Sequence, residues 1–200
     1  MSSSIFNPNH PQDISSKIVA SLERISEVFK ALLWEKAKQI GLSPIQIQLL
    51  IFIAYHKVNL CNVSKLAKEF NLTKPTVSDA VKVLERKGLI VKDYSSTDNR
   101  SYGIHLSAKG EKIVLETNNF ANPVQKQLLQ IPPNNLETVY STLTQLIYKL
   151  NQSGILSVQR TCFGCKFYSN KNDTHYCNLL EQKLRTSDIK LDCPEFEEKN

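Results

Sequence analysis

Residues 71–106 read NLTKPTVSDAVKVLERKGLIVKDYSSTDNRSYGIHL, and their pattern decides the fold. Thr73 is a good N-cap, and Pro75 sits in the first helical turn, where a missing N–H costs little. Val77, Ala80, Val81 and Leu84 follow at i, i+3, i+4 and i+7, so a helix over 73–87 has one apolar face. Gly88 can end it in the left-handed conformation just past the last turn. Lys74, Pro75, Thr76, Ser78, Asp79 and Lys82 are left for solvent or a partner. A shorter helix over 63–70 precedes it, capped by Asn62, with Val63, Leu66, Ala67 and Phe70 on one side. After Gly88 the period changes. Residues 89–91 and 104–106 are strand-like, and the intervening SSTDNRSYG is rich in turn formers.

Two short helices joined by a two-residue link form a helix-turn-helix, whose second helix can lie in the DNA major groove. The hairpin that follows is a wing over residues 92–102. Arg100 at its tip can enter the minor groove, where negative potential attracts arginine. Asp98 is spaced to hold that guanidinium by a charge-assisted hydrogen bond.

Residues 13–150 resemble the MarR-type winged-helix regulators. The matching pieces are Leu66-Ala67, Thr76-Val77-Ser78, the LERKGL run at 84–89, Asp98-x-Arg100, and the LSAKG run at 106–110. The resemblance implies a DNA-binding protein in which Lys74, Pro75, Thr76, Ser78, Asp79, Lys82, Asp98 and Arg100 form the interface. One position departs from the pattern: Asp79 stands where many such proteins carry a basic residue. A carboxylate there either accepts from a cytosine amino group or repels phosphate.

The net charge of +6 is uneven. Residues 161–200 hold six Lys/Arg and seven Asp/Glu, which leaves the tail at −1 and the remainder at +7, a balance suited to a polyanion. The N-terminal MSSSIFNPNHPQ has neither a basic n-region nor an apolar h-region, so a cytoplasmic location is expected, with no membrane partner. Residues 1–12 read as a flexible arm, 13–152 as the winged helix-turn-helix with its long helices, and 153–200 as a separate tail.

Asp13 caps a first long helix, in which Ile18, Leu22, Ile25, Phe29 and Leu32 form a seam that ends at Gly41. Ser43 and Pro44 open the next helix, and residues 45–53 (IQIQLLIFI) are apolar almost all round, as in a buried helix. Ser107 is expected to cap one long helix to about residue 129. Another follows the Pro132-Pro133 break and carries Leu136, Val139, Tyr140, Leu143, Leu146, Ile147 and Leu150 as a stripe. The resemblance implies that such N- and C-terminal helices interlock two subunits into a homodimer. Two recognition helices about one DNA turn apart would then meet a palindromic operator. Trp34 belongs to that interface or lines a pocket for a small aromatic effector, which the resemblance allows.

The tail holds Cys162, Cys165, Cys177 and Cys193 in a C-x2-C-x11-C-x15-C pattern, enough thiolates to close one metal centre. A single C-x-x-C pair is fewer than a zinc ribbon uses, and Pro194 directly follows the last cysteine, as in bacterial ferredoxin runs. The order Cys162-x-x-Cys165-x-Phe167, Cys177, Cys193-x-x-Phe196 resembles the small iron–sulfur subunits of arylsuccinate synthases. An iron–sulfur cluster is placed ahead of Zn2+, and a short helix is expected after Cys177. Cys61 reads as a small buried hydrophobe, and His10, His56 and His105 show no partner pattern.

The expected fold is mainly α with a small β-hairpin wing, long dimerisation helices and a small cysteine-rich metal module. The expected function is that of a non-enzymatic, dimeric transcriptional regulator bound to double-stranded DNA and tuned by its cysteine centre. The alternative is a metal-dependent redox protein or enzyme that docks through its helix-turn-helix. Against it, no nucleophile set, phosphate-binding glycine loop or paired-carboxylate motif is present.

Overall fold

The computed structural model describes residues 4–7, 13–94, 102–171 and 174–199. The chain runs α1 (Ile14–Ile40), α2 (Pro44–Tyr55), α3 (Val63–Glu69), α4 (Lys74–Arg86), β1 (Ile90–Asp93), β2 (Gly103–Leu106), α5 (Ala108–Thr117), α6 (Asn122–Leu128) and α7 (Pro133–Gln152). The tail adds β3 (Tyr168–Lys171), β4 (Thr174–Cys177) and β5 (Gln182–Leu184). Of the expected N-terminal arm, residues 4–7 form a turn and residues 1–3 and 8–12 lie outside the described residues.

The helix ends follow local chemistry. Asp13 accepts from the Ser16 N–H at 2.7 Å, and Asn62 accepts from the Lys65 N–H at 3.0 Å. Ser43 and Gln46 bond each other's backbone N–H groups in a capping box, with Pro44 at the first helical position. Thr73 accepts from the Thr76 N–H at the start of α4. At the other end Gly88 takes φ +68°, its N–H bonds Glu85 O, and the Leu89 N–H reaches back to Leu84 O. That pair of bonds satisfies the last carbonyls of α4 and turns the chain into β1.

The core is built around α2. Ile47, Leu49 and Leu50 are fully buried against Leu66 of α3, Val77, Val81 and Leu84 of α4, and Ile104 of β2. Each such aliphatic side chain contributes about 1.5–3 kcal/mol by leaving water. The hairpin pairs Ile90 with Leu106 and Asp93 with Gly103, and the Ile104 N–H bonds Cys61 O, which anchors the wing beside α3. The LSAKG run locks α5 onto the end of α4. Ser107 Oγ donates to Gly88 O at 2.6 Å while accepting from the Gly110 N–H, and Lys109 Nζ donates to Lys87 O. A Cβ at Gly110 would land on the Leu89 carbonyl, so this close approach requires glycine.

α1 joins this core only near its C-terminal end, through buried Leu33 and Ala37. Ile18, Ile25 and Phe29 of the expected seam are exposed within the chain, and Leu22 and Leu32 are half-buried. Among the described residues no single helix is long and apolar enough to cross a membrane.

Two expectations are corrected. The long helix after Ser107 is broken into α5 and α6 at residues 118–121. Pro123 lies in the first turn of α6, and a proline in the interior of a continuous helix would clash with the carbonyl four residues back. The helix expected after Cys177 is instead a turn, with Glu181 at φ +51°, that leads into β5. The tail is thus a three-stranded antiparallel meander in the order β3-β4-β5, pairing Tyr168 with Cys177 and Cys177 with Gln182.

Candidate nucleic-acid interface and cysteine cavity

α4 divides as its sequence pattern requires. Val77, Ala80, Val81 and Leu84 are buried, while Lys74, Pro75, Thr76, Asp79 and Lys82 are exposed and Ser78 is half-buried. Lys74 and Pro75 occupy the first turn, where the unpaired N–H groups and the helix dipole favour an anion. The Thr76 hydroxyl is engaged with Thr73 Oγ1 at 2.8 Å, so it serves the cap in this conformation. Asp79 holds Lys82 at 3.0 Å, and both side chains are exposed. The helix therefore presents a lysine partly neutralised by its own neighbour.

At the base of the wing, Lys92 pairs with Glu85 at 2.6 Å and lies 4.8 Å over the Tyr102 ring. The Glu85 hydrogen bond raises the Lys92 pKa and keeps it charged. Asp98 and Arg100 lie outside the described residues.

The four tail cysteines come from separate elements and line one cavity of about 550 Å³. Cys162 begins a short 3-10 turn and Cys165 closes it, with the Cys165 N–H on Cys162 O. Cys177 ends β4, and Cys193 follows the loop after β5. The Lys190 backbone N–H points at Cys162 Sγ at 3.2 Å. Burial pushes the Cys162 thiol pKa up, the Lys190 N–H opposes this, and the other three sulfurs reinforce it. Tyr140, Phe167, Leu180, Leu184 and Ile189 supply apolar wall. Among the described residues, no three His, Cys, Asp or Glu side chains converge within reach of a single ion. His175 is engaged elsewhere, its Nδ1 lying 2.5 Å from the Tyr168 hydroxyl.

The tail is joined to the helix-turn-helix by a polar clasp. Arg160 donates to Glu69 at the end of α3 through both terminal nitrogens, at 2.8 and 2.9 Å. Its Nε donates to Asp192 at 2.6 Å. Asp192 also meets His56 Nε2 at 2.8 Å, and His56 Nδ1 bonds Phe52 O. Burial disfavours the Arg160 charge, but its hydrogen bonds to Asp192 and Glu69 more than offset this, so its pKa is raised. Phe52 stacks on His56 at 3.7 Å and lies under the guanidinium. Lys57 and Glu195 add an exposed pair at 3.2 Å. None of these partners was visible in sequence. His56 and Glu69 precede Arg160 by about a hundred residues, and their own spacing carries no motif.

Cys61 is buried as expected, its thiol near Lys57 O, with burial pushing its pKa up to about 11. Trp34 is exposed on α1 and borders neither the cysteine cavity nor a second cavity of about 780 Å³ beside the clasp.

Residues 40–101 match the MarR family. The S. aureus MepR–DNA complex is similar at 25% identity and a TM-score of 0.59, over 70% of this chain and 100% of that one. S. aureus MepR in its DNA-binding conformation gives 25% identity and 0.59, over 66% and 98%. A MarR-family transcriptional regulator from Rhodococcus sp. RHA1 shares the fold at 18% identity and 0.56, over 68% and 97%. The family match ends at residue 101, well before the first tail cysteine. Residues 40–101, from the end of α1 through β1, are thus similar to the MarR family, and the described helices and hairpin share their fold with these structures.

Proposed function

We propose that this chain is a transcriptional regulator that binds double-stranded DNA as a homodimer. The observation that carries this reading is α4: one face buried, the other offering Lys74, Pro75, Thr76, Asp79 and Lys82, in a winged helix similar to one solved on DNA. Ser78 lies at the edge of that face, and Asp98 and Arg100, which lie outside the described residues, are assigned to the same interface from the sequence alone. The unpartnered apolar residues of α1 support the dimer. Ile14, Ile18, Ile25 and Trp34 expose about half or more of their surface, a cost that a second copy would remove. Two copies of α4 related by a two-fold axis read a palindromic site, and no catalytic role is assigned.

The test is selection of duplexes from a random-sequence library by the purified chain, followed by fluorescence anisotropy against salt. The expected result is an enriched palindrome whose affinity falls steeply with salt as phosphate counterions are released. No enrichment, together with salt-insensitive binding, overturns the reading.

A further inference from the structure

We infer that Cys162, Cys165, Cys177 and Cys193 hold an iron–sulfur cluster whose occupancy is transmitted to the helix-turn-helix through Arg160 and Asp192. The regulatory half rests on the DNA-binding reading above; the cluster half does not.

The donor set is one that a cluster takes. Cys162, Cys165, Cys177 and Cys193 all line one cavity of about 550 Å³. A cluster is held by four thiolates arranged around an inorganic body, and a cavity of that size has room for one. Tyr140, Phe167, Leu184 and Ile189 give the cavity an apolar wall, and the Lys190 N–H already points at a sulfur. Hydrogen bonds to cluster sulfurs and exclusion of solvent are the levers by which a protein holds and tunes such a group.

Two of the four ligands are next to the clasp. Arg160 lies two residues before Cys162, and its carbonyl accepts the Cys193 N–H at 3.1 Å. Asp192 directly precedes Cys193 and bonds both Arg160 and His56. Glu195, two residues beyond Cys193, meets Lys57. The cluster would tie residues 189–196 to the rest of the tail through Cys193. Without it, that segment is retained mainly by backbone bonds and by the clasp itself. Its release withdraws Asp192 and Glu195 from the end of α2 and its following loop. Arg160 then loses one of its two carboxylates, and its grip on Glu69 at the end of α3 weakens. α3 packs directly on α4, so its position sets that of the recognition helix.

The test uses the full chain, purified without oxygen and incubated with ferric iron, sulfide and dithiothreitol, the thiol reducing the excess ferric iron. Broad visible absorption with iron and acid-labile sulfide bound is expected, and Cys162→Ser and Cys193→Ser should each lose it while keeping the helical circular dichroism of the cluster-free chain. A colourless chain that takes up Zn2+ but no sulfide overturns the cluster. Affinity for a duplex selected by this chain should differ roughly five- to 150-fold between loaded and empty protein. Arg160→Ala should keep the absorption and erase that difference. If Arg160→Ala does not fold, Arg160→Lys, which keeps the charge but not the two-pronged geometry, should shrink it. Equal affinities for loaded and empty wild-type protein overturn the coupling. If neither form binds any duplex, the regulatory half falls with the DNA-binding reading, and the absorption still decides the cluster.

Discussion

Arg160 and Glu69, 91 residues apart in sequence, face each other as a two-pronged ion pair, with N–O distances of 2.8 and 2.9 Å. The Arg160 side chain is only 11% exposed and Glu69 21%, so the pair is closer to a buried bridge than to a surface one. It fastens a cysteine-bearing tail to the first helix of the helix-turn-helix.

Glu69→Gln should therefore cost stability, because it replaces one of the two carboxylates that neutralise the largely buried Arg160 guanidinium by a neutral group. Exposed pairs are worth under about 1 kcal/mol, and breaking a buried one costs about 3–5. A loss of about 2 kcal/mol in urea unfolding is expected. A loss indistinguishable from zero would mean that the clasp does not hold the tail in solution.

Asp79→Asn should strengthen DNA binding and steepen its salt dependence by about one counterion. The substitution removes a charge that repels phosphate and frees Lys82 from its 3.0 Å partner. Anisotropy titrations at several salt concentrations measure both effects. Weaker binding confined to one base position would instead identify Asp79 as a reader of cytosine.

Ile25→Glu places a charge in the middle of the proposed α1 seam. Ile25 is 46% exposed within a single chain, so the fold of the monomer should survive. Sedimentation should show a monomer of unchanged helical content, with weakened binding to a palindrome. A dimer that persists would move the interface elsewhere.

Cys61 makes a pH-dependent contribution. Its folded pKa of about 11 lies above the ordinary value of 9.0, so the native state favours the neutral thiol. That stabilisation is complete below pH 9 and is lost as pH rises, because the unfolded chain ionises first. The loss amounts to about 2 kcal/mol by pH 11. Urea unfolding from pH 8 to 11 should fall more steeply for the native chain than for Cys61→Ala. In the same way, native Cys61 should resist iodoacetamide at pH 8 while the tail thiols of cluster-free protein react.

The helix-turn-helix was legible in sequence because its signals are local. Thr73 and Gly88 mark the ends of α4, and four residues at helical spacing define its buried face. Capping and periodicity act within a few residues, so the chain declares them wherever it folds. The pattern of four cysteines is equally plain, since residue type and spacing are read directly from the chain. The break between α5 and α6 was readable at Pro123 but was masked by continuing apolar spacing on both sides. What only the tertiary structure decided is how the tail is built and where it docks. The segment after Cys177 forms a strand rather than a helix because β4 offers it a pairing edge, and short segments follow such partners over their own propensity. Arg160, Glu69, His56 and Asp192 carry no common motif. Each alone reads as an ordinary polar side chain, and only long-range packing brings their charges within hydrogen-bonding distance.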